Sequence, residues 1–142
     1  MGDVADRGQL GDVAWRELLS RHFEAVRAQM ERFGGREVKT TGDGLLATFA
    51  GPAQALHCAA AICRAANREG LHLRAGVHVG EVELIGSDVR GVAVHEAARI
   101  MAKAGVDEIL VSEITRTLAL TSGLVFHDRG HHTLKGLSLI HI

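Results

Sequence analysis

The sequence has no tyrosine, one tryptophan, one proline and two cysteines among its 142 residues. Aromatic side chains make up 4 %, too few for a base-stacking surface of the RNA-binding kind. No apolar run approaches the ~20 residues of a membrane helix. The opening stretch, Met1 to Gly8, lacks the apolar core of a signal peptide. Neither sign of charge predominates, since 16 basic and 17 acidic side chains leave a net charge of −1. With no net field, there is no general attraction to nucleic acid or to anionic lipid. Cys58 and Cys63 stand five apart in a helical segment and point in different directions, so they do not bridge easily. Buried reduced thiols fit a reducing, cytoplasmic compartment. Also absent are a Gly-Lys-Ser/Thr phosphate loop and a Gly-x-Ser-x-Gly nucleophile elbow. His127, His131 and His132 cluster without a second Cys/His pair at zinc spacing.

What is present suffices for one globular unit. Hydrophobic residues are 46 % and charged residues 23 %, which argues against disorder, and 1–142 reads as a single domain. Trp15, Leu18, Leu19, Phe23, Val26, Met30 and Phe33 fall at helical spacing and predict a helix over 13–33, with Asp12 before it and Gly34-Gly35 after it. Residues 36–50 read as strand, Gly42-Asp43-Gly44 turn, strand. Pro52 opens a helix over 53–68, which Gly70 ends. Residues 71–79 alternate, and a second strand through Val82 and Leu84 follows a break near Gly80-Glu81. A helix over 92–104, a strand at 109–111, a short helix from Ser112 to Thr121 and a strand over 125–134 complete the order. This order predicts an α+β fold, with helices over one face of a mainly antiparallel sheet. No strand is expected ahead of the first helix, and 137–142 is apolar without a turn or cap signal.

Five places carry residue types suited to chemistry. Asp43 is a carboxylate at a tight turn, fit for a hard cation, although Asp-Gly is also the commonest hairpin dipeptide. Lys39 lies about 13 Å from it along an extended strand, so the two would touch opposite ends of one nucleotide or serve two sites. As a solvated strand lysine it would do neither. His95 and Arg99 are i and i+4 on a helix, an imidazole beside a permanent cation suited to a phosphate or a ribose hydroxyl. The plainer alternative is an exposed polar helix face. Asp88, in a loop bounded by Gly86 and Gly91, and Lys135, at the end of the last strand, are bland when taken alone.

Taken jointly, these segments resemble the catalytic domain of class III nucleotidyl cyclases, the adenylate/guanylate cyclase family. The resemblance runs from about Gly11 to Gly136. It rests on five motifs in register: Trp15-Arg-Glu-Leu-Leu, Phe33 to Gly44, Arg74-Ala-Gly-Val-His-Val-Gly-Glu-Val, Gly91-Val-Ala-Val-His-Glu-Ala-Ala-Arg, and Arg129-Gly through Leu-Lys-Gly136. It is similar to the bacterial branch, whose members are often joined to other signalling domains. The resemblance implies a ferredoxin-like or palm-type layered sheet and conversion of ATP to cyclic AMP and pyrophosphate with two Mg2+ or Mn2+ ions. It also implies a homodimer with sites at the interface. In that frame Asp43 is a metal ligand, Lys39 and Asp88 read adenine, Arg99 meets the α-phosphate, and Lys135 lies near the polyphosphate. His95 stands where the family has Asn. The family's first strand carries a further metal-binding Asp, and by its spacing that Asp would precede Met1, with Asp3 and Asp6 too close to the helix to replace it. On this count the chain is a partial domain, lacking its first strand and truncated at both ends, and without turnover by itself. The alternative is a non-catalytic domain that binds nucleotide or dimerises to regulate a fused partner. A diguanylate cyclase domain would need a Gly-Gly-Asp/Glu-Glu-Phe turn, which is absent.

Overall fold

A computed structural model describes residues 2–4, 11–41, 44–131 and 138–141. The long helices form where the side-chain period places them. Helix α1 runs Asp12–Phe33 and buries Trp15, Leu18, Val26 and Met30 along one stripe. Gly34 ends it at φ 73, and the Gly35 N–H donates to the Met30 carbonyl at 2.7 Å. Helix α2, Pro52–Arg68, starts on its proline, where a missing N–H is harmless. Helix α3 is Val92–Lys103, and α4 is the short Glu113–Leu118.

Strands β1 (Gly2–Val4), β2 (Arg36–Thr41), β3 (Gly44–Thr48), β4 (Leu73–Val77), β7 (Ile109–Ser112), β8 (His127–His131) and β9 (Ser138–His141) form one sheet in the order β2-β3-β1-β4-β7-β9-β8. Its pairs are antiparallel except β4 and β7, which run parallel. Strands β5 (Glu83–Ile85) and β6 (Asp88–Arg90) make a separate ribbon.

Strand alternation splits the core. Leu73, Ile109 and Val111 pack with Trp15, Leu18, Leu56 and Cys63, whereas Leu110 packs with Ile100 and Ala104. Helices α1 and α2 therefore cover one face and α3 the other, not one face alone as expected. The cause is the parallel β4/β7 pair, since its crossover must carry a helix over the sheet. On that side α3 lies directly on β4: a Cβ on Gly76 would sit 2.5 Å from the Met101 nitrogen and 2.8 Å from the Ala97 oxygen.

The two chain ends differ from expectation. A strand does precede the first helix: β1 fills the slot between β3 and β4, with Gly2 opposite Leu45 and Asp3 opposite Arg74. A strand of three residues has too little alternation to be read from sequence. The tail forms β9 between β7 and β8, because the buried edge of β7 offers it a ladder of hydrogen bonds.

Candidate functional site

Strand β2 carries a register shift between Glu37 and Lys39. Such bulges re-aim the side chain that follows. Lys39 meets Asp88, its Nζ 3.7 Å from Oδ1, with the two side chains 50 % and 54 % exposed. Asp88 opens β6 rather than lying in a free loop. The ribbon turn is tied to β2 a second time, as Arg36 Nη2 donates to the Gly86 carbonyl at 3.0 Å. The Asp88 carboxyl is held below the usual carboxylate range, first by the Val89 N–H it accepts and next by the Lys39 ammonium. A cation and an anion thus stand side by side at the surface, one donating and one accepting.

One residue past β6, Gly91 adopts φ 142 and α3 begins. An added Cβ there would come 2.9 Å from the Glu81 carbonyl oxygen, so this sharp entry needs glycine. Along α3, Ala93 and Ile100 are buried, while His95 and Arg99 lie exposed on the opposite side. Neither pairs with another described residue. The structure therefore joins Lys39 to Asp88 by contact, groups His95 with Arg99 on one helix face, and links the two pairs through Gly91.

Asp43 and Lys135 lie outside the described residues. Asp3, set aside on spacing, is in β1. Continuing the β1/β3 register by one residue from Gly2–Leu45 puts Asp3 opposite Gly44, which follows Asp43 in the chain. Residues 5–11 span about 23 Å when extended, so a strand this near the helix is sterically open. Aspartate carboxylates are hard oxygen donors of the kind that Mg2+ and Mn2+ take. Among the described residues no cluster of three His, Cys, Asp or Glu side chains could hold a metal.

A cavity of about 300 Å³ borders the site through Val89, Ala93, Val94 and Ala97, and its other walls include Phe23, Met30, Leu45 and Ile62. None of the candidate residues above lines it. Cys58 and Cys63 are buried, with their thiols pushed up to about 11 by desolvation, so they are inert. No helix among the described residues is long and apolar enough to cross a membrane.

The family model of the adenylate and guanylate cyclase catalytic domain matches residues 9–141. The chain belongs to this family. A protein of Rhizobium meliloti (strain 1021), provisionally named adenylate cyclase 3, is 33 % identical to the cyclase domain over 129 residues, covering 84 % of this chain. The chain spans 22 % of that relative's length. The crystal structure of an adenylate/guanylate cyclase/hydrolase from Silicibacter pomeroyi superposes at a TM-score of 0.84 and 32 % identity, covering 99 % of this chain and 91 % of that one. The adenylyl cyclase CyaB from P. aeruginosa shares the fold at a TM-score of 0.83 and 18 % identity, with 99 % and 89 % covered.

Proposed function

We propose that this cyclase domain converts ATP, in preference to GTP, into cyclic AMP and pyrophosphate at sites shared between two copies of the chain. The observation that carries the substrate choice is the contact of Lys39 with Asp88. Adenine presents an acceptor at N1 and a donor at its 6-amino group, which a lysine and an aspartate match. Guanine presents the reverse pattern there and leaves both side chains opposed by like groups. The ion pair holds both side chains ready before the base arrives.

In the reaction, the ribose 3′-oxygen bonds to the α-phosphorus as the bond from that phosphorus to the β-phosphate bridge oxygen breaks. Arg99 is free to turn its planar fork to the α-phosphate, where charge builds up. His95, four residues before it, is within reach of a ribose hydroxyl as a hydrogen-bond donor, in place of the family's asparagine. Lys135 would meet the polyphosphate. Asp3 and Asp43 would hold the divalent ions, which when bound neutralise phosphate charge and activate the attacking oxygen. Lys39 and Asp43 are four residues apart in the chain, and in this reading each would serve a different site of a homodimer. The limited share of the Rhizobium relative that the chain spans supports action alongside a fused signalling domain.

The test is cyclic AMP formation from ATP with Mn2+ by the purified chain. Because β1 is present and contains Asp3, product is expected where the sequence alone predicts no turnover, and in excess over cyclic GMP from GTP. A folded, dimeric sample that forms neither product would refute the reading. His95 favours a second reading, a domain that binds nucleotide without turnover, and ATP binding in that inactive sample would establish it.

A further inference from the structure

Gly76, His78 and Gly80 alternate along the end of β4 and the residues after it, so they share one face. The glycines at either side let α3 lie close: a Cβ on Gly76 would meet the Met101 nitrogen at 2.5 Å, and one on Gly80 would meet the Ala93 Cβ at 2.5 Å. His78 is the side chain between them, and it is 6 % exposed. Its Nε2 stands 3.6 Å from Glu96 Oε2 on α3. Its Nδ1 is 2.6 Å from Ser112 Oγ at the end of β7. Ser112 Oγ lies 2.7 Å from Thr115 Oγ1, which accepts the Val79 N–H at 3.0 Å. The Glu96 carboxylate favours the ring proton on Nε2. Nδ1 then accepts from Ser112 and Ser112 accepts from Thr115, while Nε2 faces the Glu96 carboxylate just beyond hydrogen-bond distance. Glutamate, histidine and serine are the residue types of a hydrolytic triad, but Ser112 is 0 % exposed and engaged on both sides, so no substrate reaches it.

We infer that His78 is a positioning residue: by holding Glu96 it sets the rotation of α3 and so the aim of Arg99 and His95. The inference rests on the cyclase reading. At about 100° per residue, Glu96 lies between the side of Ala93, Ala97 and Ile100 and the side of Arg99 and His95, about 60° from both Ala93 and Arg99. Alanine against glycine resists approach but hardly resists sliding. His78, held at its other end by the hydrogen bond to Ser112, stands against Glu96 and does. A turn of about 10° moves a group ~6 Å from the helix axis by about 1 Å, and misplacement of that size can cost roughly 10²-fold in rate.

Glutamine and asparagine separate the two ends of the imidazole, because the Gln amide nitrogen falls near Nε2 and that of Asn near Nδ1. His78→Gln keeps the Glu96 contact and should leave kcat within ~3-fold, whereas His78→Asn should lower kcat by ~10- to 100-fold. KM for ATP should stay within ~3-fold in both, because Lys39 and Asp88 are untouched. Glu96→Ala, at a half-buried site, should reproduce the Asn variant should that variant fold poorly. Amide exchange within 92–103 should quicken about tenfold in His78→Asn while α1 and α2 keep their protection. Equal kcat for the Gln and Asn variants, or a loss that appears in KM, overturns the inference in an active wild type. Wild-type protein without turnover on ATP or GTP overturns the cyclase reading instead, and unaltered exchange in α3 then overturns the positioning role independently.

Discussion

Replacing Gly76 by alanine adds one methyl group where α3 crosses β4. The new Cβ would lie 2.5 Å from the Met101 nitrogen and 2.8 Å from the Ala97 oxygen. Both are backbone atoms, so no rotamer change relieves the overlap, and the helix must withdraw by about 1 Å. Overpacking of this kind costs about 1–3 kcal/mol. For a domain of this length each kcal/mol lowers Tm by roughly 3 °C, so Tm should fall by about 3–10 °C. The withdrawal also displaces Arg99, and kcat measured well below Tm should drop about tenfold or more. Gly105→Ala is the control, since its added methyl meets nothing nearer than Glu108 Oε1 at 3.7 Å. That variant should stay within about 0.5 kcal/mol of the parent. Thermal unfolding followed by circular dichroism, with turnover assayed at 25 °C, reads both effects. If Gly76→Ala matches Gly105→Ala in Tm, the close seating of α3 on β4 is refuted.

Other expectations follow from single side chains. Lys39→Glu reverses the donor at the base and should lower the ATP/GTP ratio of kcat/KM by about tenfold or more in a competition assay; an unchanged ratio would remove the base-reading role. Arg99→Ala should lower kcat by about 10²–10³-fold with ATP binding preserved in calorimetry, and a full-rate variant would exclude Arg99 from the phosphate. His22 is buried on α1, and desolvation lowers its pKa below 6.5. The folded state then resists a proton that the unfolded chain accepts, so stability is lost as pH falls below about 6.5. In urea titrations at pH 7.5 and 5.5, His22→Leu should gain on the wild type at the lower pH; a constant difference would contradict that sign.

Helices α1, α2 and α3 were legible because each carries a stripe of apolar residues bounded by a proline or glycine signal. The placement of His95 and Arg99 together was legible for the same reason, as a spacing of four on a helix fixes a common face. Four features were not legible. Strand β1 is shorter than two periods of alternation. The approach of Lys39 to Asp88 joins residues 49 positions apart and depends on the ribbon β5–β6 folding back on β2. The His78–Glu96–Ser112 cluster draws on β4, α3 and β7, and it forms only because β4 and β7 run parallel. The Gly-x-His-x-Gly alternation was the available signal for it. The division of helices between two faces was hidden for the same topological reason.

The proposed activity requires a site completed by two copies of the chain. In each proposed site one copy supplies Asp43 and the other Arg99, so Asp43→Ala and Arg99→Ala should each be nearly inactive alone. Mixed and allowed to exchange subunits, half the dimers pair one of each, and such a dimer contains one site with both defects and one with neither. Cyclic AMP production by the mixture should then recover to about a quarter of the wild-type rate. A mixture no more active than its parts, with subunit exchange verified, would contradict the shared site.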